Sequence, residues 1–273
     1  MKRLVVNADD FGFTSGVNEG ILRSYLEGIV RSASLMANGA AFKQAVRIAR
    51  RHPGLGVGCH LVLVQGESVA RPGRELPSSL SGFVAAFPSR AGMVGEFRAQ
   101  IERLLRHGVR PTHLDTHKHL HLLPPVLEAV AEVADEYSIR WIRKPLDAAF
   151  GLQPGARAAL AVATGLFRVP FEERLRRARC RTSDYFAGFS TTGSLTAGWL
   201  CRLLPALPDG LGEFVCHPGY CGPELMRAET RLKESREAEM SALCSPQVKR
   251  AAAGLGIELV SYRQPLADVP SGE

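Results

Sequence analysis

Short apolar runs alternate with helical patterns along almost the whole chain, and that alternation leaves few folds open. The runs are Leu4–Asn7, Ala33–Ala37, Gly56–His60, Thr112–Asp115, Arg140–Arg143, Ser183–Phe186, Glu213–Cys216 and Glu258–Ser261. Helical periodicity lies between them over Gly16–Glu27, Ala41–Arg50, Met93–Arg106, Pro125–Glu136, Leu195–Leu204 and Arg231–Leu243. A strand that returns parallel to its neighbour needs a crossover, and a helix supplies one of right-handed sense. Up to eight such units predict an α/β fold, a distorted (β/α) TIM-like barrel of parallel strands with its site at their C-terminal ends. A doubly wound open sheet is the alternative and uses the same ends.

The chain of 273 residues is long enough for one large core, and no linker or shift in composition divides it, so 1–273 reads as a single domain. Val64–Ala91 and Pro145–Arg181 interrupt the alternation, and irregular stretches of that length commonly shape a site. The net charge of +7 admits an anionic partner, but no nucleic-acid-binding motif accompanies it, so no nucleic acid is expected. No apolar run approaches the roughly 18 residues that cross a bilayer. The apolar run after Met1-Lys2-Arg3 is too short for a signal peptide and meets two acids at once. Cys59, Cys180, Cys201, Cys216, Cys221 and Cys244 form no CxxC pair and read as reduced thiols of a cytoplasmic protein.

Ligand-type residues fall where such a fold builds its sites. Asp9 and Asp10 end the first run, His60 ends the third, Asp115 and His117 end the fourth, and His217 follows Glu213–Cys216. Imidazole and carboxylate are the usual ligands of catalytic zinc, while two His and one carboxylate also describe the facial triad of non-haem iron. One strand-end His is an ordinary structural residue; four separate strand ends carrying His or Asp point to a shared polar site. Alternation would put His113, Asp115, His117, His119 and His121 on one face of an extended segment. One ion cannot take them all, so two or three are expected in the loop or core.

Asn7-Ala8-Asp9-Asp10-Phe11-Gly12 resembles the opening motif of the YdjC-like carbohydrate deacetylases, a family that includes chitooligosaccharide deacetylases. The resemblance continues through Val30–Ser34, Gly58-Cys59-His60-Leu61, Pro111–His117, Cys216-His217-Pro218-Gly219-Tyr220, Ser235–Glu239 and Ile257–Tyr262, and so covers essentially the whole chain. Within the family the chain looks most like the branch associated with hopanoid biosynthesis. The resemblance implies a distorted β/α barrel that hydrolyses an N-acetyl group from an amino sugar or glycolipid. It implies that Asp10, His60 and His117 bind one divalent metal, that Asp9 is the general base, and that His217 is the general acid or oxyanion partner. The ligand types favour zinc, the family is also associated with magnesium, and the resemblance leans to a homodimer. Lys118 departs from the pattern, since relatives often carry His or Gln there.

The chemistry of those roles is coherent. A divalent metal polarises an amide carbonyl and lowers the pKa of water toward ~7. A carboxylate then takes the water proton, and imidazole supplies one to the leaving amine. Asp9 and Asp10 are adjacent, so both can face one site only if the chain bends, and Gly12 permits a bend. Asp115 reads either as the partner that orients a ligand histidine or as a strand-end cap. Arg143 reads either as the partner of Asp9 or as a surface ion pair. Phe11, Trp141 and Tyr220 could stack on sugar rings or pack in the core. The competing functions are a non-haem iron oxygenase on the same three ligands and a sugar-binding protein without catalysis. Finally, apolar Ala158–Phe167 precedes the arginine-rich Phe171–Arg181. That pairing suits either an amphipathic helix packed on the barrel or a peripheral membrane contact with anionic headgroups.

Overall fold

A computed structural model describes residues 1–78, 80–87, 89–148 and 168–263. Its strands are β1 (Lys2–Phe11), β2 (Ser32–Leu35), β3 (Gly56–Leu61), β4 (Leu114–Thr116), β5 (Tyr185–Ala187), β6 (Gly210–Cys216) and β7 (Glu258–Val260). All pair in parallel, in the order β4-β3-β2-β1-β6-β5, and β7 pairs with the start of β1. The central strand β1 is covered on both faces, which is why Leu4-Val5-Val6 forms an unbroken apolar run instead of an alternating one.

The eight expected strands do not all form. Arg140–Arg143 makes only single bridges, from Trp141 to Arg181 and from Ile142 to Leu114, and Asp147 bridges Phe186 of β5. Pro145 lies in this segment and has no N–H for a ladder. These bridges bring the segment between β4 and β5, the two ends of the sheet order. The result is a parallel, barrel-like sheet whose last side is a loop carrying Arg143.

The helices are α1 (Ser15–Leu26), α2 (Phe42–Arg51), α3 (Leu80–Ala86), α4 (Arg90–Arg106), α5 (Pro124–Glu136), α6 (Arg168–Arg177), α7 (Ala197–Ala206), α8 (Pro223–Arg227), α9 (Ser235–Leu243) and α10 (Pro246–Gly254). The Thr14 hydroxyl caps α1 by accepting from Val17 N–H. In α2, buried Phe42, Ala45, Val46 and Ala49 follow helical spacing, leaving Lys43 and Arg47 outside. Two stretches without a clear element in the sequence contain helices: α3 lies within Val64–Ala91 and α6 within Pro145–Arg181.

Helix α6 buries Phe171 and Leu175. Its arginines meet acids of the same chain: Arg174 pairs with Glu128 of α5, and Arg176 and Arg177 pair with Glu173. The helix thus packs on its neighbours through its apolar side, while Ala158–Phe167 lies outside the described residues. Among the described residues, no helix is long and apolar enough to cross a membrane. The six cysteines are free thiols.

Candidate active site

The loop ends of the strands carry the ligand-type residues. Ala8 pairs with Ala33 and Phe11 with Leu35, so β1 holds one residue more than β2 between them. This β-bulge contains Asp9 and Asp10, and Asp10 adopts a left-handed backbone with φ of 64°. Adjacent strand residues normally face opposite ways; here the bulge turns both carboxylates to one end. The bend is therefore at the aspartates and not at Gly12. Gly12 is needed for another reason: its φ is 93°, and a Cβ there would lie 3.0 Å from the Leu35 side chain and 3.1 Å from the Met36 carbonyl.

Three donor atoms converge beside the bulge. His117 Nδ1 lies 3.3 Å from Asp10 Oδ1 and 3.3 Å from His60 Nε2, and His60 Nε2 lies 3.6 Å from Asp10 Oδ1. His60 Nδ1–H donates to Asp115 Oδ1 at 2.6 Å, which turns Nε2 toward Asp10 and His117. His117 Nε2 points to Gln65 Oε1 at 3.4 Å. Past His117 the chain turns sharply, with left-handed backbone at Lys118 and His119, so the extended face expected over Thr112–His121 breaks at this point. Each such non-glycine residue costs roughly 1–3 kcal/mol unless its surroundings hold it.

Arg143 is the hub behind these atoms and is wholly buried. It donates to both oxygens of Asp9 at 2.7 Å, to Glu213 Oε1 at 2.7 Å and to Asp115 Oδ2 at 2.8 Å. It is a core cation and not a surface ion pair. Asp115 also accepts from Ser34 Oγ at 2.6 Å, so both its oxygens serve the site and neither caps the strand. Glu213 is held on its other oxygen by the Tyr262 hydroxyl at 2.7 Å.

The electrostatics follow from these contacts. Burial opposes charge on His60, but Asp115, Asp9 and Asp10 more than offset it and push its pKa up to about 9. Burial works against ionised Asp10 as well, yet Arg236, His117 and His60 hold its carboxyl well below the usual range. Burial draws His217 below the usual imidazole value. His113 and His121 behave differently. Burial takes each down to about 4, and each bonds neutral groups: His113 meets Thr112 and Ser34, while His121 meets Thr116 and the Arg143 carbonyl. They are the core histidines of the cluster.

His217 follows β6, and its backbone N–H donates to Glu239 at 2.6 Å. Asp9, Asp10, His60, His117, His119 and His217 all line one cleft of ≈ 1490 Å³. That exceeds the space a single small ligand fills, roughly 300–1,000 Å³. Tyr220 is not among the residues lining the cleft: its hydroxyl accepts from Arg23 on α1. Phe11 is buried in the core, and Trp141 packs against Tyr262.

Residues 3–253 match the model of a family described as YdjC-like protein. The chain belongs to that family. It is 34% identical over 270 residues to the carbohydrate deacetylase of Geobacillus stearothermophilus, covering 95% of this chain and 96% of the relative. To the chitooligosaccharide deacetylase of Serratia marcescens it is 30% identical over 279 residues, covering 96% and 98%. A solved Enterococcus faecalis V583 protein, named for cellobiose-phosphate cleavage, has a similar fold with a TM-score of 0.78 at 25% identity, over 96% of this chain and 97% of that one.

Several site residues carry no individual expectation from sequence. Asn7, Ser34, Gln65, Glu213, Arg236 and Glu239 all bond within or behind the cluster. For two of them a signal exists. Arg236 and Glu239 share a helical face with buried Met240 and Leu243, and charge on an apolar face marks a residue with a buried partner.

Proposed function

We propose that this chain is a metal-dependent hydrolase that removes an N-acetyl group from an amino-sugar glycan or glycolipid. The observation that carries this reading is the convergence of Asp10 Oδ1, His60 Nε2 and His117 Nδ1 within 3.3–3.6 Å in a cleft that Asp9 and His217 also line. Relatives named as carbohydrate deacetylases support the substrate class.

The donor set supports zinc: two imidazole nitrogens and a carboxylate are usual ligands of catalytic zinc, whereas magnesium prefers oxygen ligands throughout. A second cluster, Asp9, His60 and Asp115, also brings three ligand atoms together. Arg143 already occupies both oxygens of Asp9, while His60 takes Asp115 Oδ1 and Arg143 and Ser34 take Asp115 Oδ2, so that cluster leaves no carboxylate oxygen open to a cation, unlike Asp10 Oδ1.

The divalent ion would polarise the acetyl carbonyl and acidify water. The chain supplies the remainder. Asp9, held on both oxygens by Arg143, is fixed in orientation and accepts the proton of the attacking water. His217 protonates the leaving amine nitrogen so that it does not return to the carbonyl. Asp115 fixes the His60 tautomer with Nε2 free.

The finer reading takes the substrate as an N-acetylglucosaminyl hopanoid, from the resemblance to that branch, and the protein as a cytoplasmic homodimer, from its reduced thiols and the family resemblance. The test is acetate release from N-acetylated chitooligosaccharides and N-acetylglucosaminyl glycolipids, with chelator and with added zinc or magnesium. Acetate should appear, stop with chelator and return with zinc. Oxidised product that depends on iron and dioxygen, or binding without acetate release, would overturn the reading.

A further inference from the structure

Helix α9 reaches the site from outside the sheet at two points. Arg236 Nη2 donates to Asp10 Oδ2 at 2.5 Å. One turn further on, Glu239 accepts from His217 N–H at 2.6 Å and from Gly193 N–H at 2.8 Å. Both residues are buried, at 1% and 2% exposure. The expected strand-end cluster includes neither of them.

As packing alone, this pair is a poor device. Arg236 is a buried cation whose Nη1 has no hydrogen-bond partner, although its Nε donates to the Leu232 carbonyl. An apolar residue of similar volume would fill the same space without that cost. Contact with Asp10 accounts for its presence. Asp10 is buried on the bulge, and its two oxygens meet different partners. Arg236 occupies Oδ2 and leaves Oδ1 beside His60 and His117. Glu239 does the corresponding work at the neighbouring strand β6, where it ties the turn after that strand to the loop at Gly193.

We propose that Arg236 is the positioning residue that makes Asp10 a one-oxygen ligand, and that Glu239 is the positioning residue for His217. One helix face thereby sets the distance between the two halves of the site. This rests on the metal-dependent reading above. Outer partners of this kind typically set metal affinity by about 10–100-fold.

The experiment measures zinc affinity by competition with a chromogenic chelator for full-length wild type, R236Q, R236K and E239Q. Near-UV circular dichroism checks folding, and kcat and KM are measured on the zinc-loaded proteins. R236Q should bind zinc about 10–100-fold more weakly, and R236K should recover most of that loss because it restores a buried cation at Asp10. E239Q should bind zinc like wild type and lose kcat at unchanged KM. Zinc affinity of R236Q within about threefold of wild type, R236K no better than R236Q, or E239Q losing zinc in step with R236Q would each overturn the assignment. If R236Q does not fold, R236M, which fills the space without a cation, takes its place: zinc affinity lowered more than threefold supports the assignment, and affinity within about threefold of wild type overturns it. Wild type that binds no zinc would overturn the metal reading itself, a result distinct from normal zinc binding in wild type and R236Q alike.

Discussion

His60 and His113 lie on neighbouring parts of one sheet and are equally hidden from water, at 1% and 0% exposure. His60 has its pKa pushed up to about 9, whereas His113 is drawn down to about 4. Burial penalises the charged imidazole in both. The neighbours differ: His60 touches a carboxylate of Asp115, and His113 touches two hydroxyls. His121 repeats the His113 pattern with a hydroxyl and a carbonyl. Both nitrogens of His113 and of His121 are engaged in the core, while His60 keeps Nε2 turned toward Asp10 and His117. On the proposed reading, the histidines around the site divide into binding and structural members by whether a ring nitrogen stays turned toward the cluster.

The largest expected effect tests that division directly. H60A and H117A should lose stoichiometric zinc and fall to background acetate release while remaining folded. H113N and H121N should retain the metal. Elemental analysis of the four purified variants checks this, and loss of zinc from H113N would erase the distinction.

A smaller loss should follow from D9N, which removes the proton acceptor but leaves the three donors. Its kcat should drop about 10²–10⁴-fold with full metal content, and H217A should behave alike. Initial rates on metal-loaded enzyme decide, and a loss under about tenfold would take that residue out of the catalytic set.

On the structural side, H113N should cost about 1–3 kcal/mol of stability, the usual penalty for leaving buried hydroxyls short of a partner. Denaturant titration measures it, and a change in zinc affinity without a change in stability would contradict the core assignment.

The subtlest expectation is a pair of opposite pH dependences in the metal-free protein. His60 has a folded pKa of about 9 against about 6.5 unfolded, so its contribution is complete below about pH 6.5 and is lost as pH rises toward 9. His113 and His121, at about 4, contribute fully above about pH 6.5 and lose that contribution as pH falls toward 4. Zinc binding requires neutral His60, so it should release a proton and remove the alkaline decline. Melting temperature across pH, with and without zinc, should show both arms in the metal-free protein and only the acid arm in the loaded one.

Much of this arrangement was legible in the sequence because strand ends are local features. Asp9, Asp10, His60, Asp115, His117 and His217 each end or follow an apolar run, and the parallel sheet brings those ends together. The tertiary partners were less legible. Arg143 is a core cation because its segment bridges the regions of β4 and β5, a long-range placement that its sequence neighbours do not reveal. Tyr220 sits beside His217 in sequence, but the turn after Pro218-Gly219 directs its hydroxyl to Arg23. Gly12 permits a bend, but the bulge at Asp9 and Asp10 supplies it, because one extra residue in a strand is visible only from its partner's register. Helix α9 lies more than 200 positions from Asp10, and no spacing rule connects Arg236 to it.

The most direct measurement is anomalous diffraction at the zinc edge from zinc-soaked crystals of the full chain. The account predicts one peak, about 2.0–2.1 Å from Asp10 Oδ1, His60 Nε2 and His117 Nδ1. A peak on the Asp9, His60 and Asp115 cluster, or no peak at these residues while zinc-loaded protein releases acetate, would contradict it.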